Sequence, residues 1–355
     1  MAGYIYDMSL AECIKTWSRE LGFDRVGIAP AEASDGFERL GEWLSRGFAG
    51  DMAYMHKHAA ARRHPASILT DVKSVVMVAL NYRQPVSGGP IAQYARGADY
   101  HDVIRDKLNR LLVKIRDEQP EVAGRGVVDT APLLERDFAR RAGLGWIGKN
   151  TMLLHPKLGS FFFLGALLLN VKLPADEPFA KNHCGTCTRC LDACPTDAFP
   201  AAGWLDSRRC ISYLTIEHRG PIDESLRPGL GEWVFGCDIC QDVCPWNLKA
   251  PMFADAALTP REDLVAMDLL EWVSISDEDF RRRFRGTPLF RAKRRGVVRN
   301  VALALGNSGD ATAFGPLARL LCDSDATIRD AAEWAIATIR ARLDAATEEK
   351  TRNPK

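Results

Sequence analysis

The sequence predicts an α+β fold. An N-terminal α/β-layered domain precedes a ferredoxin-like, cysteine-rich domain, and a C-terminal α-helical repeat region follows. Three observations predict this. Helix and strand periodicities interleave through about residue 175. Eight of the ten cysteines fall between residues 184 and 244. The run Val298–Leu305 aligns with Ile328–Ala335 at a 30-residue offset. The expected bounds are 1–175, 176–250, a connecting segment 251–280, repeats over 281–345 and a disordered tail over 346–355.

Ser9 and Glu12 form a capping box before an amphipathic helix that reaches about Glu20. A turn and short strand carry Val26 and Ile28. Phe37–Leu44 is a second helix. Ser74–Tyr82 is a nearly unbroken β-branched and apolar run, which predicts a strand buried on both faces. From Tyr100, apolar residues recur at helical spacing until Pro120. Gly126–Asp129 reads as a strand and Pro132–Ala142 as a helix stopped by Gly143. After a glycine-rich turn, Met152–His155 and Phe161–Val171 read as strands, with Phe161–Leu169 taken as core. The pattern leaves the strand order open. Residues 176–250 are rich in cysteine, proline and turns, so metal sites are expected to hold them more than an apolar core does.

The cysteines carry the chemistry. Cys184, Cys187, Cys190 and Cys194-Pro195 have the C-x2-C-x2-C-x3-C-P spacing of a two-cluster ferredoxin, whose fourth cysteine serves the other cluster. One [4Fe-4S] cluster then takes Cys184, Cys187, Cys190 and Cys244. The other takes Cys194, Cys237 and Cys240, with Cys210 as the remaining thiol. Zinc prefers separated C-x2-C pairs and does not call for this run. Cys13 and Cys322 are expected to be buried or half-buried thiols, and His183 a solvated loop residue.

Composition limits the rest. Net charge is only +1, so no global field announces a nucleic-acid partner. The first residues show neither a basic n-region nor an apolar h-region, and the longest apolar run is too short to span a bilayer. A cytoplasmic protein with no membrane partner is expected. There is no G-x-G-x-x-G after a strand and no P-loop, so nicotinamide binding has no support.

Six further strings carry a resemblance. They are Tyr94–His101, Val128–Arg136, Ala142–Asn150, Gly159–Gly165, Arg209–Glu217 and Cys244–Asn247. In this order, over about residues 10–250, the chain closely resembles the epoxyqueuosine reductases. The resemblance implies that residues 1–175 bind cobalamin without a protein histidine as lower ligand, and that electrons arrive through two [4Fe-4S] clusters from an external donor. It implies a tRNA substrate and reduction of epoxyqueuosine to queuosine, with a monomer expected. Asp129 matches the family's acid. From the residues alone it is either that acid or the cap of the helix at Pro132; as an acid, its pKa is expected to be raised by burial. Tyr94, His101, Asp129, Lys149, Asn150, Ser160 and Ser212 are the expected cobalamin contacts. A reductive dehalogenase or a non-catalytic electron carrier are the alternatives.

The last expectation rests on charge. Arg281, Arg282, Arg283, Arg285, Arg291, Lys293, Arg294, Arg295 and Arg299 give +9 between residues 281 and 299 with no acid among them. Such a run suits a phosphate backbone. Its alternative is a solvated face of the HEAT-like repeats.

Overall fold

The structure, a computed structural model, describes residues 8–86 and 88–352. Helix α1 (Leu10–Glu20) opens on the expected capping box. Strand β1 (Arg25–Pro30), helix α2 (Phe37–Ser45) and the short α3 (Ala53–Lys57) follow. Strand β2 (Ser74–Asn81) is buried along its whole length, as its apolar run predicts. Helix α4 (Tyr100–Glu118) leads to β3 (Gly124–Val127). Helix α5 is shorter than expected, Glu135–Arg141, because Pro132–Leu134 stay in a loop. Strands β4 (Trp146–Ile147) and β5 (Leu153–Leu154) pair with each other, and β6 (Phe162–Leu169) closes the domain.

The main sheet has the order β1-β2-β6-β3, with every neighbouring pair antiparallel. Alternation along β2 sorts the core into two faces. Val76, Val78 and Leu80 pack with Ile14, Ile104 and Leu108 of α1 and α4. Val75, Met77 and Ala79 pack with Phe138 and Ala139 of α5. The sheet thus lies between helices. Helix α4 sits close because β6 carries Gly165 beneath it: a Cβ there would lie 2.7 Å from Ile104 Cγ2.

The cysteine region contains α6 (Arg189–Asp192), α7 (Ile211–Ile216) and α8 (Ile239–Asp242). It has more core than expected. Ile211, Leu214, Trp233, Val234 and Phe235 are buried in one cluster with the C-terminal helices. Residues 251–280 are not a passive link either. They form α9 (Glu262–Val265), α10 (Leu269–Trp272) and the start of α11 (Asp277–Phe284), and they bury Leu264, Trp272 and Phe280 in that same core.

Helices α12 (Lys293–Ser308), α13 (Phe314–Leu320) and α14 (Ala326–Arg352) complete the chain. The 30-residue offset corresponds to matched buried positions: Val298 and Ile328 are fully buried on α12 and α14. Gly306 permits their close contact, since a Cβ there would lie 2.5 Å from the Trp334 ring. The expected disordered tail is helical through Arg352, in keeping with its Ala, Glu and Lys content. Residues 353–355 lie outside the described residues.

Candidate active site and cluster ligands

A cleft of about 250 Å³ opens at one end of the sheet, lined by Tyr82, Tyr94, Tyr100, Asp129, Glu135, Arg136, Met152, Leu153, Ser160 and Phe162–Leu164. Phe162 and Phe163, expected as plain core, are wall as well as core. Asp99 caps α4 by accepting from the His101 N–H at 3.1 Å. That cap fixes Tyr100 and His101 in the first turn, where both side chains reach the loop after β3. The Tyr100 ring stacks on Phe163 at 4.2 Å between centroids.

Asp129 is gripped from three sides. His101 Nε2 meets Oδ1, the Tyr100 hydroxyl donates to Oδ2, and the Asp129 N–H donates to Glu135 Oε1 at 2.7 Å. Its φ of 26° lies in the left-handed region, costing about 1–3 kcal/mol that these contacts offset. The carboxylate is not a helix cap: α5 begins six residues later, and Glu135 reaches back to the loop instead.

The electrostatics differ from the expectation of a raised acid. Burial works to raise Asp129, but hydrogen bonds from His101 and Tyr100 outweigh it, and the carboxyl is held below the usual range. His101 moves the other way. Burial lowers it, while Asp129 and Asp99 more than compensate, so the imidazole is raised. The shared proton therefore rests on Nε2. Glu135, which the sequence presented only as part of a matching string, is pushed up to about 8 by burial and by the Asp129 charge. At pH 7 the cleft wall carries a neutral carboxyl beside an ionised one.

The cysteines influence one another electrostatically largely along the expected division, although no group of three or more His, Cys, Asp or Glu side chains among the described residues is arranged to hold a metal ion. Cys190 and Cys244 are raised by burial and then by neighbouring thiols, among them Cys184 and Cys187. Cys237 is raised by burial and by Cys210 and Cys194, and Cys240 by burial, by Cys237 and Cys210, and by Cys190 of the other expected set. These thiols lie close enough to raise one another. Cys210 stands at the N-terminus of α7, where the Ser212 and Tyr213 N–H groups point at its sulfur. Trp146 Nε1 lies 3.5 Å from Cys184 Sγ. Cys13 is half-buried, whereas Cys322 is exposed, contrary to expectation. His183 is exposed, with its ring against Trp146.

The expected cobalamin contacts divide. Tyr94, Asp129 and Ser160 line the cleft, and His101 stands behind Asp129. Lys149 and Asn150 do not line it. They brace the cysteine loops, donating to the Cys187 carbonyl at 2.9 Å and the Cys240 carbonyl at 3.3 Å. Ser212 lies at Cys210, away from the cleft lining. Ser160 also ties the two regions, donating to Gln241 Oε1 at 2.9 Å.

The basic run is partly spent within the fold, because acids come from elsewhere in the chain. Arg283 pairs with Asp263 and Glu271, Arg294 with Asp323, and Arg295 with Asp325. Arg299 is only 2% exposed and donates to the carbonyls of Leu214, His218 and Gly220, so it is no RNA contact. Arg299→Ala should strand these buried acceptors and lower stability by about 3 kcal/mol; an unchanged thermal midpoint would refute that role. Arg281, Arg282, Arg285, Arg291 and Lys293 remain exposed.

Two family models match the chain. One, described as a 4Fe-4S double cluster binding domain, covers residues 183–247. The other, described as epoxyqueuosine reductase QueG, DUF1730, covers residues 62–130, which include Tyr94, His101 and Asp129. An epoxyqueuosine reductase of Pseudomonas aeruginosa is 44% identical over 309 residues, 84% of this chain and 86% of that one. That of Escherichia coli K12 is 39% identical over 309 residues, 84% and 81% of the two chains. A crystal structure of epoxyqueuosine reductase with an epoxyqueuosine-modified tRNA-Tyr stem loop is similar at a TM-score of 0.86 and 31% identity, covering 93% of this chain and 90% of that one. A Bacillus subtilis epoxyqueuosine reductase, with an aspartate-bearing catalytic loop swung out of the active site, is similar at 0.86 and 29% identity, covering 98% and 95%.

Proposed function

The chain belongs to the epoxyqueuosine reductase family, and we propose that its cleft is where the epoxide of epoxyqueuosine in tRNA is reduced to give queuosine. The observation that carries this reading is the Asp129–His101–Tyr100 constellation on the cleft wall, beside a region that matches a double-cluster domain. The net change removes one oxygen as water and consumes two electrons and two protons.

The residues fit the cofactors of the family. Tyr94, Phe162 and Phe163 offer aromatic surface suited to a corrin face. No imidazole or thiol lines the cleft among the described residues, and both His101 nitrogens are already engaged. That suits a cobalamin with no protein ligand beneath it. When bound, cobalamin and the two [4Fe-4S] clusters supply the electrons. The protein supplies position and protons. Asp129 faces the developing alkoxide and relays to it the proton held at His101 Nε2, while the Tyr100 hydroxyl, itself raised by burial and by the Asp129 charge, stays protonated and holds the carboxylate in place.

Glu135 holds this device in place through the Asp129 N–H. As pH rises through about 8 it ionises and sets a second negative charge beside Asp129, so turnover should fall on the alkaline side. Glu135→Gln keeps the acceptor and should flatten that fall. Glu135→Ala should lower kcat about tenfold, the worth of one such hydrogen bond. An alkaline limb unchanged in Glu135→Gln would refute the assignment.

Residues 1–175 are read as the cobalamin domain, 176–250 as the cluster domain and 281–345 as HEAT-like repeats whose exposed cations Arg281, Arg282, Arg285, Arg291 and Lys293 meet the tRNA backbone. On this reading an external donor supplies the electrons to a monomeric, cytoplasmic enzyme. No helix among the described residues is long and apolar enough to cross a membrane. The reading is tested by giving the reconstituted, anaerobically reduced protein two substrates, tRNA bearing epoxyqueuosine and a haloaromatic. Turnover of the tRNA alone is expected. Dehalogenation without epoxide reduction would overturn it.

A further inference from the structure

One member of the basic run ends in the active site. Arg291 lies in the 3-10 turn Pro288–Ala292, yet its Nη2 stands 3.0 and 3.1 Å from the two carboxylate oxygens of Asp99 and 2.5 Å from His101 Nδ1. Its guanidinium also covers the Tyr100 ring at 5.7 Å. The backbone of this segment is tied down, since the Asp99 N–H donates to the Gly286 carbonyl at 2.8 Å. The side chain, though hydrogen-bonded at its tip, is open to solvent: it is 40% exposed, whereas His101 is 4% exposed.

The two contacts at His101 Nδ1 exclude each other. A guanidinium is a donor only, so at 2.5 Å Nδ1 must face it with a lone pair. His101 is then neutral, with its one proton on Nε2 toward Asp129. Yet Nδ1 also lies 2.8 Å from Asp99 Oδ1, a contact that forms a hydrogen bond only when Nδ1 carries a proton. Arg291 and a second proton on His101 therefore compete for one place beside Asp99.

We propose that Arg291 is a positioning residue that sets the number of protons on His101, and that a tRNA phosphate drawing it off Asp99 lets His101 take up a proton as the substrate lands. This rests on the reading of tRNA as the substrate. The exchange balances. Arg291 leaves Asp99 for a phosphate, His101 Nδ1 gains a proton from solvent, and the new imidazolium replaces the guanidinium as the partner of Asp99. Exposed Arg285 and Lys293 flank the turn and favour a phosphate there. The charged and titratable groups around His101 are Asp99, Tyr100, Asp129, Arg291 and, across the loop, Glu135. Of these, Arg291 is the cation that opposes its protonation. The site is thereby charged with the second proton of the reaction only when substrate is present.

The test is calorimetry of a tRNA anticodon stem loop binding to the cluster-loaded protein, in buffers of different ionisation enthalpy above neutral pH. Wild type should take up about one proton per loop bound, by linkage. Arg291→Gln, whose His101 is already free to protonate, should bind with little or no uptake. Arg291→Lys, which restores the cation, should recover part of it. Binding by wild type without proton uptake, or equal uptake in wild type and Arg291→Gln, would overturn the proposal. Failure of wild type to bind the loop at all would overturn the tRNA reading, and this inference with it.

Discussion

Asp129→Asn should lower turnover by about 10²–10⁴-fold, the usual worth of a positioned acid, while cluster content and cobalamin binding stay at wild-type levels. The substitution keeps the size of the side chain, and asparagine tolerates the positive φ as well as aspartate does. The backbone N–H can still reach Glu135. What is lost is the second anionic oxygen. An amide accepts from either His101 or Tyr100 and meets the other with N–H groups, so it neither shares the proton of His101 nor passes one on. Turnover near wild type would show that the carboxylate only shapes the loop.

Cys210→Ser should remove one cluster and leave the fold. Iron and acid-labile sulfide should fall to about half, because the set of Cys194, Cys237 and Cys240 loses its fourth thiolate while the set of Cys184, Cys187, Cys190 and Cys244 is complete. The fold should survive, since Ile211, Leu214, Trp233 and Phe235 bury apolar surface around α7 without help from metal. Turnover should be lost. Cys322→Ser, at an exposed thiol outside both sets, should change neither iron nor turnover. A full iron complement in Cys210→Ser would give the fourth place to another residue.

Local features were legible where local physics decides them. The capping box of α1 lies within four residues, and β2 is an unbroken apolar run from Val75 to Leu80 between its terminal Ser74 and Asn81. The double-cluster domain is legible from the C-x2-C-x2-C-x3-C-P spacing, and a family model of that description covers residues 183–247. What was not legible depends on partners distant in sequence. Strand order could not be read because β6 pairs with β2 across some 80 residues of chain. Lys149 and Asn150 looked like cofactor contacts, and the carbonyls they serve belong to Cys187 and Cys240. The basic run holds no acid of its own, and Asp263, Asp323 and Asp325, which pair with it, lie outside it. The resemblance offers Asp129 as the acid with a raised pKa, but its ionisation depends on His101, 28 residues earlier, and that reverses the expected shift. Glu135 could have been suspected from its place six residues after Asp129, opening the helix that follows the loop.

The most direct measurement is nucleoside mass spectrometry of tRNA after one anaerobic turnover, with the electrons withdrawn from the pre-reduced protein counted in the same sample. The account predicts that epoxyqueuosine is replaced by queuosine, lighter by one oxygen, for two electrons. An unchanged nucleoside, or a product that retains the oxygen as a ring-opened alcohol, would contradict it.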